Sequence, residues 1–335
     1  MLKEVFAYKE IQKYQSETNV LLKKVSDYID AYTSRGPEAT EVDQVIEDAV
    51  SARGKMLRPS LLLLCAEFGN NYQEERLCKL AALVEITHMA SLVHDDVIDD
   101  APERRGRPSV QGKYGKKAAV YAGDLMMCRV SLQVAKEDFN EYGEIISGAI
   151  EEMCRGELLQ SGSLFDDTVT KDRYYRNIHG KTAALFMASC RIGAIEGGCD
   201  EKTVELLERI GEKFGMLFQL RDDLKDFSSE SSEMGKTTHK DFLDGIYTFP
   251  VISAMKTEKG RKALLPLMKK NRMGLLSDGD LRMMEDVVKE CGGIRETETE
   301  IRQHLGDIER ILSEYGDFKP AIKIQQLIRK VCADL

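Results

Sequence analysis

Thr87-His88-Met89-Ala90-Ser91-Leu92-Val93-His94-Asp95-Asp96-Val97-Ile98-Asp99-Asp100-Ala101-Pro102 runs from a largely apolar stretch into four carboxylates closed off by a proline. Upstream, Leu80, Leu83, Val84, Thr87, Ser91 and Leu92 recur at helical spacing along one stripe. Asp95 and Asp99 then stand one turn apart, about 6 Å along the axis, and project from one face. Like charges at that spacing oppose helix formation, and anions at a helix carboxyl end oppose the macrodipole. A hard cation would relieve both, and magnesium favours a few carboxylates completed by water and phosphate oxygens. Taken alone, the run reads better as a solvated acidic helix end.

A second run changes that weighting. Leu207, Ile210, Phe214, Leu217 and Phe218 form another apolar stripe, which leads into Gln219-Leu220-Arg221-Asp222-Asp223-Leu224-Lys225-Asp226, again with two aspartates four apart. Two acidic clusters, each ending a hydrophobic helix, suggest two walls that share metal ions across a cleft. Cations stand at matching places. Lys55 and Arg58 lie three apart at a helix start, where backbone N–H groups favour an anion, and Pro59 fits the first turn. Arg104-Arg105-Gly106 follows the first acidic run, so two guanidiniums can reach phosphates, although an aspartate–arginine surface pair explains them equally well. Lys181-Thr182 and Gly235-Lys236 add further cations beside glycines, and His88 lies two turns before Asp95.

Working outward, no proline occurs between Pro108 and Pro250, and sheet patterning is nearly absent. Breakers fall at Arg35-Gly36-Pro37, Gly69-Asn70-Asn71, Ala101-Pro102, Gly197-Gly198 and Ser228 to Gly235. These are short connections, so the reading is all-α: one domain over residues 1–335, built as a single bundle of ten or more helices. A net charge of −9 argues against a nucleic-acid partner, for lack of a basic excess. Eight scattered cysteines without a CxxC pair read as reduced thiols. Met1 to Tyr8 carry Lys3 and Glu4 and no signal-type apolar region, and no apolar run approaches the ~18 residues of a transmembrane segment, so a cytoplasmic protein is expected.

Together these motifs resemble the trans-prenyl diphosphate synthases, the polyprenyl synthetases of the all-helical isoprenoid synthase fold. The resemblance rests on GKMLRP from Gly54, THMASLVHDDVIDDAPERRGRPS from Thr87, AGD at Ala122, GEL at Gly156, HGKTAALF at His179, FQLRDDLKD at Phe218 and MGKTTHKDFLDGIYTFP at Met234. It implies a central substrate cavity, Mg2+ as cofactor, and isopentenyl diphosphate and an allylic prenyl diphosphate as substrates. Asp95, Asp99 and Asp222 would hold the metal, with Asp96 supporting. Lys55, Arg58, His88 and Arg105 would bind isopentenyl diphosphate; Arg104, Lys181, Thr182, Gln219 and Lys236 would bind the allylic diphosphate, with Lys181 counted among the catalytic groups. The resemblance implies a homodimer, or alternatively a heteromer with a small regulatory subunit.

Three positions depart from the family pattern: Arg53 replaces a glycine, Met56 a basic residue, and Ile246 a lysine. No role is carried to position 246. Ala90 and Ser91 stand where short-chain members carry bulky aromatics, so a product longer than geranylgeranyl diphosphate is expected, in a medium- or long-chain enzyme of the hexaprenyl to octaprenyl class. Small residues there also permit close helix packing without any bearing on product length. The alternatives are a short-chain farnesyl or geranylgeranyl diphosphate synthase, a terpene cyclase that needs no isopentenyl diphosphate, and a non-catalytic helical subunit.

Overall fold

The computed structural model of the chain describes residues 2–34, 40–51, 53–227 and 239–332, with side chains from residue 18 onward. Sixteen α-helices and one π-helical turn lie among the described residues, with a single two-residue strand pair. The expected all-α architecture is therefore what is found. The breaks at Gly69–Asn71, Ala101-Pro102 and Gly197-Gly198 fall between helices, whereas those at Arg35–Pro37 and Ser228–Gly235 lie outside the described residues.

The chain divides into two compact units. The first comprises Met1–Ile150 and Leu185–Glu208, the second Glu151–Ala184 and Arg209–Leu335. Helices α1 (Leu2–Thr33), α2 (Glu41–Ser51), α3 (Leu57–Ala66), α4 (Glu74–Ile98), α5 (Val110–Tyr114) and α6 (Lys116–Lys136) belong to the first unit, which also holds the start of α7 (Asn140–Ser161) and most of α9 (Ala184–Glu196). The second contains the end of α7, α8 (Lys171–Ile178), the π turn His179–Ala183, most of α10 (Glu201–Lys225), and α11 (Lys240–Leu243), α12 (Phe249–Met255), α13 (Glu258–Arg272), α14 (Asp278–Glu290), α15 (Gly293–Ser313) and α16 (Lys319–Cys332).

Helix α4 is the axis of the first unit, packed by α6, α1 and α3. Leu77, Leu80, Ala81, Leu83, Val84, Ile86, Thr87 and Ala90 are all fully buried, so the helix is apolar all round, not only along the expected stripe. By length and composition α4 alone among the described helices could cross a membrane, which the run-length reading did not anticipate; 72% of its most apolar window is buried against the rest of the protein. In the second unit, Tyr174, Ile178, Leu217, Leu220, Phe249, Ile252 and Ile301 form one core cluster. Each such side chain contributes about 1.5–3 kcal/mol by leaving water. That core holds the carboxyl end of α10, and with it the second acidic motif, in a fixed place.

Candidate active site

In the first unit, α4 ends where its carboxylates begin. Asp99 caps the helix and donates its N–H to the Asp95 carbonyl at 2.8 Å, so the one-turn spacing of the two side chains survives to the last turn. Asp100 then turns left-handed (φ 49°), and the Ala101 N–H closes on the Asp96 carbonyl at 2.9 Å, the six-to-one bond of a Schellman end. Asp95 is half-buried and Asp99 exposed, whereas Asp96 is buried.

Asp96 has a dedicated partner. The Arg104 Nε donates to both of its carboxylate oxygens at 2.8 and 3.0 Å, and Nη2 lies 2.8 Å from Oδ1. The arginine is positioned by the strand pair that sequence patterning did not show. Glu103–Arg104 pairs antiparallel with Arg107–Pro108 through a two-residue turn at Arg105 (φ 53°) and Gly106 (φ 72°), the conformation that matches strand twist in tight hairpins. Arg104 is thus first a partner of Asp96.

The same hairpin lays the Arg105 guanidinium on the loop before α3. A side chain at Gly54 would put its Cβ 2.5 Å from the Arg105 Nη2, so any other residue there would have to displace the guanidinium. Arg58, in the first turn of α3, stacks its guanidinium 4.2 Å over the Phe186 ring and leaves a buried Nε without a hydrogen-bond partner. Burial pulls Arg58 down to about 10, still protonated at neutral pH. His88 is held well below the usual histidine range, by burial first and then by Arg58, Arg105 and Arg104, so it is neutral. The arrangement gathers three guanidiniums about His88, a charge set suited to a phosphate group. Lys55 is exposed at its edge, before a left-handed Met56 (φ 51°). Buried Glu85, one turn before His88, was not anticipated; burial raises its pKa, and Arg58, Arg105 and Arg53 oppose the rise.

In the second unit, Asp222 is exposed and Asp223 buried. Asp223 accepts hydrogen bonds from the Tyr174 hydroxyl at 2.6 Å and the Gln219 Nε2 at 2.9 Å, and from the Phe249 N–H at the start of α12. No cation is among these donors, and burial pushes Asp223 up to about 6. Asp226 accepts the His239 N–H at 2.9 Å and is also raised by burial. Asp241 is half-buried and pushed up to about 7, by burial and then by Asp223 and Asp226, with Lys181 opposing. Four carboxylates thus crowd one corner.

The expected allylic residues gather beside them. The Thr182 hydroxyl donates to the Gln219 Oε1 at 2.7 Å, and the Lys181 Nζ sits 2.7 Å from Glu157. Both belong to the π turn, an irregularity often found at functional sites. Gly180 and Gly156 let this turn and α7 touch backbone to backbone; Cβ atoms there would lie 2.4 Å from the Glu152 carbonyl and the Lys181 N–H nitrogen. Lys236 lies outside the described residues. Ile246 is half-buried, and its N–H closes the turn after α11 on the Asp241 carbonyl at 2.8 Å.

In each unit the carboxylates offer oxygen only, Asp95 and Asp99 in the first and Asp222, Asp226 and Asp241 in the second, the donor chemistry that a hard divalent cation prefers. Among the described residues no group of three or more such side chains is arranged to hold a metal ion by itself.

An almost wholly helical chain, two aspartate clusters and a group of arginines beside the first are the features of an enzyme of the isoprenoid synthase fold. A sequence model of the polyprenyl synthetase family matches residues 39–275, and the chain belongs to that family. It is 39% identical over 215 residues to component 2 of heptaprenyl diphosphate synthase from Geobacillus stearothermophilus, an alignment that spans 64% of this chain and 67% of that protein. A chloroplastic solanesyl-diphosphate synthase of Oryza sativa subsp. japonica is 34% identical over 284 residues, covering 82% and 67%. The crystal structure of a decaprenyl diphosphate synthase from Rhodobacter capsulatus superimposes with a TM-score of 0.86 at 30% identity, covering 96% of this chain and 98% of that one. The protein is a prenyltransferase.

Proposed function

We propose that the protein is a trans-polyprenyl diphosphate synthase that condenses isopentenyl diphosphate onto an allylic prenyl diphosphate and extends it beyond geranylgeranyl. The observation that carries this reading is that each acidic motif comes with its own cationic groups: Arg58, Arg104 and Arg105 accompany the first, and Lys181 the second. A reaction that departs from one diphosphate while retaining another needs two such anion sites. Relatives named heptaprenyl and solanesyl diphosphate synthase support the long product.

Asp95, Asp99 and Asp222 would hold Mg2+, with Asp226 and Asp241 as further oxygen donors that the sequence reading did not include. When bound, the metal stabilises negative charge on the departing diphosphate. Lys55, Arg58, His88 and Arg105 bind isopentenyl diphosphate, His88 as a neutral donor. Arg104 acts on a diphosphate only through the edge that Asp96 does not hold. Lys181, Thr182, Gln219 and Lys236 bind the allylic diphosphate, and the Lys181 ammonium would offset the charge that builds on that diphosphate as it leaves. The double bond of isopentenyl diphosphate attacks the allylic carbon, and the proton lost afterwards passes to the released diphosphate. Ala90 and Ser91 would leave room for the growing chain; Ala90 is fully buried, and the Ser91 hydroxyl donates to the His88 carbonyl at 2.8 Å.

The enzyme is proposed to be cytoplasmic, to span residues 1–335 as one catalytic module, and to act as a homodimer, or with a small second subunit as the name "component 2" of one relative suggests for that protein. Labelled isopentenyl diphosphate supplied with each allylic primer and Mg2+ tests the activity. The expected result is primer-dependent incorporation into chains beyond geranylgeranyl. Consumption of an allylic diphosphate without isopentenyl diphosphate would make it a cyclase, and arrest at farnesyl or geranylgeranyl would refute the product length.

A further inference from the structure

The chain carries a net charge of −9, yet between Lys256 and Leu276 it places seven cations (Lys256, Lys259, Arg261, Lys262, Lys269, Lys270 and Arg272) against one carboxylate, Glu258. Most of this stretch is α13, whose buried side is Gly260, Leu264, Leu267, Met268 and Asn271. Opposite that side, Lys262, Pro266, Lys269 and Met273 follow one another at four, three and four residues and share the outward face. Charge is divided across this face. On one flank Lys259 pairs with Glu290 and Lys270 with Asp280, both at 2.7 Å and both from α14. Arg261, Lys262 and Lys269 make no ion pair among the described residues. Beyond the helix the chain turns at Gly274 (φ 67°) and presents Met273 and Leu275, which are 55% and 64% exposed.

We propose that this face of α13 and the turn after it dock the enzyme onto an anionic lipid bilayer, Lys262, Lys269, Arg261 and Arg272 lying over lipid headgroups while Met273 and Leu275 enter the interface. Exposed cations beside exposed large apolar side chains are what such an interface rewards. A nucleic acid would use the cations but leave the methionine and leucine among phosphates. The use of such a surface rests on the long-product reading, because a polyprenyl chain leaves water for an apolar phase; its existence rests only on charge and exposure.

Co-sedimentation of the full chain with vesicles tests it, using phosphatidylcholine alone and an equal mixture with phosphatidylglycerol. The protein should pellet with the anionic vesicles only, and less as salt rises. With each cation near the surface worth roughly fivefold in affinity, Lys262→Glu with Lys269→Glu should weaken binding at least tenfold. Met273→Ser with Leu275→Ser should weaken it several-fold while leaving its salt dependence in place. Condensation of a short soluble primer should be unchanged in all variants, which separates failure of docking from failure of the catalytic reading. Absence of binding to anionic vesicles, binding indifferent to the charge reversals, or retention on heparin without vesicle binding would each overturn the proposal.

Discussion

The two acidic motifs have the same spelling and different electrostatics. Asp95-Asp96-x-x-Asp99 and Asp222-Asp223-x-x-Asp226 each bury their second aspartate and expose a first or last one. In the first, the buried Asp96 is neutralised by Arg104. In the second, the buried Asp223 is held by the neutral donors Tyr174, Gln219 and the Phe249 N–H, with Asp226 and Asp241 crowded beside it. One motif carries its own counter-charge; the other has Lys181 opposing several carboxylates. The second should therefore depend more on an added cation, in stability as well as in chemistry.

The largest expected effects lie on the outward aspartates. Asp95→Ala and Asp222→Ala should each lower turnover about a thousandfold or more, since metal-borne charge stabilisation is worth several kcal/mol at the transition state. Helical content by circular dichroism should be unchanged, because alanine is a good helix former and like charges at this spacing do not stabilise a helix. Near-normal turnover in either variant would break the equivalence of the two motifs.

Next comes the partition of substrates. Arg58→Ala should raise the KM for isopentenyl diphosphate tenfold or more, and Lys181→Ala the KM for the allylic partner, each with little effect on the other substrate. Steady-state kinetics with both substrates varied would sharpen the comparison, and a reversed pattern would exchange the two assignments.

The buried aspartates should differ in how they fail. Tyr174→Phe leaves a buried carboxylate oxygen of Asp223 without its short donor, at a cost of about 1–3 kcal/mol. Chemical denaturation should show that loss, and the kcat should fall because Gln219 and Thr182 lie on the same hydrogen-bonded chain.

The smallest effect is on pH-dependent stability. Asp223 and Asp241 have folded pKa values of about 6 and about 7, above the ordinary 3.8. Groups raised on folding favour the folded state at low pH and lose that contribution as pH rises through the folded value. In chelator, Tm should therefore fall from pH 5 to pH 8 through this corner, and Mg2+ should raise Tm more at pH 8 than at pH 5. A metal effect independent of pH would show that these carboxylates do not meet the cation.

Much of this comparison was legible in the sequence where it is local. The stripe from Leu80 to Leu92 and the one-turn spacing of Asp95 and Asp99 sit on one helix, so periodicity alone places them. The partners of the buried aspartates were not legible in the same way. Arg104 reaches Asp96 only because a left-handed Arg105-Gly106 turn folds the chain back, and that turn lacks the Asn-Gly signature that would announce it. Tyr174 and Asp223 are 49 residues apart and meet through tertiary packing. Glu85 was within reach, since it lies one turn before His88 on the same helix, but a buried carboxylate shows itself only when its surroundings are known. Asp241 lies within the family motif that starts at Met234, yet its crowding by Asp223 and Asp226 depends on how α10 and α11 pack in the second unit.

Each acidic motif is proposed to bind diphosphate through Mg2+. Calorimetric titration of a non-reactive allylic thiolodiphosphate into the wild type, Asp95→Ala and Asp222→Ala, with and without Mg2+, tests it most directly. The account predicts metal-dependent binding that weakens at least a hundredfold in both variants; affinity unchanged in either, or binding indifferent to Mg2+, would contradict it.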